Sequence, residues 1–166
     1  MHRIARAAAL LLPLLLASCV QPSAPKGAYR NLNAPISSIA LFDPARLKGE
    51  WREVASFRPR GPCTICRATF TPVAGGVRLE SGAGAALLQA SGPGRMEPEG
   101  LTGRMNAPWW VLWHDADYRT LVLGTPSGQF GVILDRGAIG PDRLRAAREI
   151  LDWAGYDVAA LKRADF

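Results

Sequence analysis

The stretch "DPARLKGEWREVASF", residues 43–57, changes its structural period partway along. Asp43 is an N-cap residue, Pro44 suits the first helical position, and one helical turn fits before Gly49. From Trp51 to Phe57 the pattern is that of a strand. Gly49 sits at the junction, where its freedom to adopt backbone angles closed to other residues lets the entering segment cross close beneath whatever the strand builds.

Downstream, short period-two segments alternate with Gly, Pro, Ser and Asn, as in antiparallel all-β chains. The spacing predicts strands at Trp51–Phe57, Arg67–Val73, Val77–Ser81, Ala85–Ala90, within Glu97–Met105, and at Trp109–His114, Arg119–Gly124 and Gln129–Arg136. "AGG" (74–76), "DAD" (115–117) and "TPSG" (125–128) read as hairpin turns. The Gly-rich interval 82–108 leaves two strands without firm bounds and suggests a shorter or less regular wall there. Eight short strands in a meander predict a closed up-and-down barrel, because closure removes exposed edges. One helix then follows. Gly140 and Pro141 open it, Leu144, Ala147, Ile150, Leu151 and Ala154 share a face, and Gly155 stands where a left-handed cap is needed. The fold expected is all-β, an eight-stranded antiparallel barrel with one C-terminal helix packed outside.

These features resemble the lipocalins. Leu47, Gly49 and Trp51 match the Leu-x-Gly-x-Trp core of the first lipocalin signature. Asp117 and Tyr118 in "DADYRTLVLG" match the Asp-Tyr turn between strands F and G, and Arg136 in "FGVILDR" matches the Arg ending strand H. "REILDWAGYDVAALK" is similar to the helix and following strand of bacterial outer-membrane lipoprotein lipocalins, so the resemblance spans roughly residues 39–163. Side-chain chemistry supports the positions independently. Trp51 offers a large apolar plate for the closed end, and Arg136, in phase with Phe130, Val132 and Leu134, can stack on it. Asp117 and Tyr118 read as turn residues rather than catalytic ones.

A cup of this size holds one small ligand, with inward residues alternating with outward ones. Lining is expected from Phe70, Leu79, Leu87, Trp109 or Trp110, Val111 or Leu112, and Val122, with Trp109 and Val111 taken as the inward pair. In "WWVLWH", Trp109, Val111 and Trp113 form one face and Trp110, Leu112 and His114 the other; both are apolar, so one face must pack outside the barrel.

Upstream, "MHRIARAAALLLPLLLASC" carries Arg3 and Arg6, an apolar block over 7–17, and then Cys19. That is a secretory signal too short to span a bilayer. "LASC" (16–19) resembles a bacterial lipobox, which implies cleavage before Cys19 and acylation of that residue; Val20 in place of Asp implies outer-membrane sorting. The expected organisation is a signal at 1–18, a lipidated N-terminus and flexible Pro-rich tether at 19–38, and the barrel domain at 39–166, facing the periplasm. Loss of Arg3 and Arg6 lowers the formal charge from +6 to +4, spread without a basic run. Nucleic acid is therefore not an expected partner, and the mild charge leaves room for a weak attraction to anionic headgroups.

By resemblance, the ligand is a fatty acid or lysophospholipid, held for storage or transport in envelope maintenance, and the chain forms a homodimer. Arg58 and Arg60, just beyond the first strand, are candidates for contacting a headgroup. A lipid-anchored structural or assembly protein with a filled barrel is the alternative. Enzyme readings fare worse: there is no G-x-S-x-G, and His114 is the one histidine after the signal. The Cys63-x-x-Cys66 spacing suits a redox centre, half a metal site or a local staple. A thiol oxidoreductase would need a helix N-terminus there, and zinc would lack ligands, so no cofactor and no metal are expected. In lipocalins this segment is the loop joining strands A and B, the lid over the cup; in an oxidising compartment the expectation is a Cys63–Cys66 disulfide stiffening that lid.

Overall fold

A computed structural model of the protein describes residues 26–165. The signal expected over 1–18 and Cys19 lie outside the described residues. Asp43 caps a 3₁₀ turn, Pro44–Leu47, its carboxylate accepting from the Ala45 amide at 2.9 Å. Gly49 then takes φ +106°, and a Cβ there would stand 3.2 Å from Arg136 Nη1. The glycine is thus required both for its backbone angle and for the close approach.

Eight strands follow: β1 (Gly49–Ser56), β2 (Arg67–Val73), β3 (Gly76–Ser81), β4 (Gly84–Gly92), β5 (Arg95–Glu99), β6 (Trp109–His114), β7 (Thr120–Gly124) and β8 (Gly131–Asp135). Each pairs antiparallel with the next, and β1 pairs with both β2 and β8, which closes the barrel. A two-residue strand, β9 (Lys162–Arg163), adds to β1 beside Ala55 and Ser56. The uncertain interval 82–108 resolves into β4 and β5, joined by a tight turn at Pro93 and Gly94, and a 3₁₀ turn at Gly103–Met105. The suspected irregularity has two parts: a register shift in β4 between Ala90 and Gly92, and a β5–β6 seam of two residue pairs, Arg95 with Trp110 and Met96 with Trp109.

Helix α1 (Pro141–Trp153) starts with Pro at its first position. It ends in a paired cap: Gly155, at φ +83°, donates to Asp152 O at 2.8 Å, and Tyr156 donates to Leu151 O at 2.9 Å. Ala147, Leu151 and Ala154 are buried against Val122, Ile133, Leu112 and Phe57 on the outside of the wall, with Leu144 and Ile150 half-buried beside them. The molecule therefore has two apolar layers, one inside the barrel and one between wall and helix.

The free tether expected over 19–38 does not extend through residues 26–38. That stretch is a strap along the outer wall. Arg30 is buried, bridges Tyr156 in backbone pairing, and sends its guanidinium to the carbonyls of Ala154, Pro126 and Ala34. Tyr29 packs on Phe57 and Phe57 on Tyr156, with centroids 5.5 and 4.8 Å apart. A Pro-rich composition suggested no structure there; three carbonyls converging on one guanidinium supply it.

The closed end is built from the 3₁₀ turn, the β6–β7 turn and Arg136. The Arg136 guanidinium lies 4.2 Å over the Trp51 ring and donates to the carbonyls of Tyr118, Lys48 and Arg46. In the β6–β7 turn, it is Asp115 rather than Asp117 that holds the backbone, accepting from the amides of Arg119 and Thr120. Asp117 is exposed and pairs with Arg119, while Tyr118 is buried at φ +54° beneath Arg46 and beside His114.

Arg136→Ala should lower stability by about 2–4 kcal/mol, since three charged hydrogen bonds and a cation–π contact go together; urea unfolding measures it. Asp115 gives a pH signature. Burial pushes its carboxyl up, but the amides of Thr120 and Arg119 and the Arg119 guanidinium outweigh it and hold the group below its ordinary value. Its contribution is therefore complete above the unfolded carboxylate pKa, about 3.9, and is lost as pH falls through the lower folded value. Asp115→Asn should flatten stability against pH in that acid window and leave the neutral limb parallel to the parent's.

Candidate functional site

The barrel interior is an apolar column. Leu47 and Trp51 floor it, Phe70, Val77, Leu79, Leu88 and Met96 line one side, and Trp109, Val111, Leu121, Leu123, Val132 and Leu134 the other. Trp109 stacks on Phe130 at 4.7 Å and donates from its indole to Met105 O at 2.9 Å. Most of these side chains have no exposed surface at all, so no water-sized void adjoins them.

Four of the expected lining residues, Phe70, Leu79, Trp109 and Val111, stand in this column. Leu87 does not. It is half-buried on the outer face of β4, where Arg78 and Glu99 are its neighbours in register, and Leu88 takes the inward place. Val122 is also displaced, to the layer under the helix beside Ile133, with Leu121 and Leu123 facing in. Both errors are one-residue phase errors. β7 is buried along its whole length because barrel and helix cover its two faces, so alternation carries no phase information there. In β6 the register shifts between Val111 and Trp113, so Trp113 leaves the inward face and joins Trp110 and Leu112 in the outer layer.

The mouth is closed by the loop over 57–66. Cys63 and Cys66 are joined in a disulfide with Cα atoms 5.0 Å apart, and Cys66 takes φ +63°. Between them Ile65 turns down into the apolar column and is fully buried. A buried carboxylate holds the ring. Glu53, two residues beyond Trp51 on β1 and on the same face, accepts from the amides of Thr64, Ile65 and Cys66 at 2.8, 2.6 and 3.1 Å. Arg58 stands 3.7 Å from that carboxylate. It is no headgroup ligand: its guanidinium is buried and spent on Glu53, Ser56 Oγ and the carbonyls of Gly61, Lys162 and Arg163. Arg60 remains exposed.

The Cys63–Cys66 bond was legible in the sequence; the carboxylate that holds its ring was not. A Glu at strand period reads as a surface residue. The signal it did carry was its phase, since Glu53 shares the parity of buried Trp51. Among the described residues, no group of three or more His, Cys, Asp or Glu side chains is arranged to hold a metal.

Residues 63–165 match the family model described as a lipocalin-like domain. No curated protein matches the sequence. Among solved structures, the chain is similar to insecticyanin from the tobacco hornworm Manduca sexta, at 14% identity and TM-score 0.59 over 84% of this chain and 87% of that one. It is similar to the cockroach allergen Per a 4, at 11% identity and TM-score 0.57 over 81% and 96%. Lobster apocrustacyanin A1 is a third, at 15% identity and TM-score 0.54 over 72% and 77%. At such identities the likeness concerns the fold.

Glu53→Gln should loosen the lid without unfolding the barrel. One acceptor oxygen is lost and Arg58 is left without its counter-charge, so the amides of Thr64–Cys66 should exchange with solvent about ten- to a hundredfold faster. Hydrogen exchange by NMR reads this residue by residue; unchanged protection at those three amides would mean the carboxylate is not the latch.

Proposed function

The chain belongs to the family of lipocalin-like domains, and on that premise we propose that it is an outer-membrane lipoprotein whose barrel takes up the acyl chain of a fatty acid or lysophospholipid. The fold suggests binding of a small hydrophobic ligand, and lipocalins generally bind or transport rather than catalyse. The observation that carries the finer reading is the apolar column under a separately latched lid. Its inward charged residue on β1, Glu53, is already committed to the lid, so the interior offers a ligand only apolar contact and leaves any polar head at the mouth.

Energetics make entry conditional on opening. Each methylene taken from water gains about 0.8 kcal/mol, so a chain of roughly ten offsets the withdrawal of Ile65 and one or two neighbours at about 1.5–3 kcal/mol each. The lipobox-like "LASC" ending at Cys19, and Val20 in place of Asp after it, support acylation and attachment to the outer membrane with the domain in the periplasm. Homodimerisation belongs to the same proposal. A second reading has its own observation: from Leu47 at the floor to Ile65 at the lid, most column side chains have no exposed surface, as in a structural protein that carries nothing.

Native mass spectrometry of the gently extracted chain separates the two. The transporter should carry a co-purifying acyl lipid, and fatty acids or lysophospholipids should quench its tryptophan fluorescence; a ligand-free chain indifferent to both is the filled barrel. For the transporter, reduction of Cys63–Cys66, or the pair Cys63→Ser and Cys66→Ser, should raise the ligand on-rate several-fold, because Ile65 loses the ring that holds it in the column.

A further inference from the structure

The strap that begins at Lys26 starts at the mouth. Gln129, in the β7–β8 turn, donates to Lys26 O at 3.1 Å, and Tyr29 donates to Gly128 O at 2.7 Å. Lys26, Arg104, Gln129 and Pro59 line one recess of about 290 Å³, and no carboxylate lines it. Lys162 Nζ reaches Pro59 O at 2.9 Å, which brings a third cation to its rim. Arg60 and Arg163 are exposed in the same loop cluster. Among the described residues none of these five cations forms an ion pair, whereas Arg119, Arg143 and Arg145 elsewhere all do. Acids also stand at this end, Glu80 on β3, Glu99 on β5, Asp165 near the lid and Asp157, whose amide donates to Tyr29 O, but none of them lines the recess.

Reach adds an independent constraint. Lys26 stands seven positions after Cys19, a span of at most about 25 Å. Strand β1 alone, with eight residues, is about 26 Å long. A chain anchored at Cys19 and leaving the domain at its mouth could bring its closed end to the bilayer only with the tether drawn out fully along the wall, so the anchor favours the mouth.

We propose that the mouth is a docking surface for anionic phospholipid headgroups, with Lys26, Arg60, Arg104, Lys162 and Arg163 facing the bilayer, so that the lid lies against the lipid surface. The reach argument rests on the acyl anchor proposed above; the charge argument does not, so the two fail separately. Facing the bilayer with the lid also shortens the path of an acyl chain, which need not cross water between membrane and column.

The three lysines of the chain are natural reporters, all exposed, two at the mouth and Lys48 at the closed end. The full acylated chain is reconstituted on phosphatidylethanolamine vesicles with about a quarter phosphatidylglycerol, treated with an amine-acetylating reagent, and read by mass spectrometry. Lys162 should be acetylated several-fold more slowly than in free protein, Lys48 at the free rate, and high salt should restore Lys162. Lys162 decides the matter, since Lys26 stays near any anchor. Arg60→Glu and Arg104→Glu should each weaken adsorption of the non-acylated chain by about fivefold or more; Arg60→Ala, in an exposed loop, serves if either charge reversal fails to fold. Protection of Lys48 instead, or equal labelling of Lys162 on anionic and neutral vesicles, overturns the proposal. Protection of Lys162 by millimolar inorganic phosphate without vesicles also overturns it, in favour of a free-anion site. A chain found without acyl groups that still shows the Lys162 pattern sustains the docking surface and removes the anchor.

Discussion

The Arg136 guanidinium on the Trp51 ring is the contact that turns a sheet into a cup. It touches three separate segments at once, since the same side chain donates to Tyr118 in the β6–β7 turn and to Arg46 and Lys48 in the entering segment. Those carbonyls have no strand partner, so the guanidinium supplies hydrogen bonds that regular pairing cannot. Gly49 is part of the same contact, because any side chain there would press on Arg136. The floor is therefore one rigid unit in which the strand ends, the 3₁₀ turn and the turn at 115–119 share a donor.

The mouth is built on a different principle. Its lid is held chiefly by a single carboxylate, Glu53, on three successive amides, and by one apolar side chain, Ile65, lowered into the column. Backbone amides converging on a buried anion give a strong local clamp, yet one that leaves the barrel walls independent of it. A closed floor and a latched top give the two ends unequal stability. That inequality suits a fold that takes a small hydrophobic ligand through its top rather than its floor.

Outside the barrel, Tyr156 ties three elements together. Its hydroxyl lies within hydrogen-bonding distance of Thr125 N, Thr125 O and Phe130 O, and burial pushes its ionisation up. Its ring and that of Phe57 occupy the space where Gly124 and Gly131 carry no side chain. The strap closes over them through Arg30. Helix, β7–β8 turn and N-terminal strap are thus a single outer layer, and the start of the strap at the mouth follows from it.

The barrel was legible because its determinants are local. Turn residues, period-two runs, Pro141 and Gly155 at the helix ends, and the Gly49, Trp51 and Arg136 constellation all act within a few residues or repeat a familiar spacing. The cysteine pair was legible for the same reason, its partners being three residues apart. Inward phase in β4 and β7, the strap over 26–38 and the Glu53 latch were not, because each is decided by groups distant in the chain. Leu87 and Leu88 are equally apolar, and only the register with β3, which sets Leu88 beside inward Val77 and Leu87 beside Arg78, chooses between them; Val122 is apolar for the helix rather than for the cup. Arg30 finds its acceptors 4, 96 and 124 residues away, and Glu53 becomes a buried anion only when a loop folds back over it. Composition and period determined that this chain makes a cup with a helix at its side. Which side chains fill the cup, and what holds its lid, were decided by tertiary contacts, since burial of a charge or the choice of an inward face has no meaning until the walls have closed.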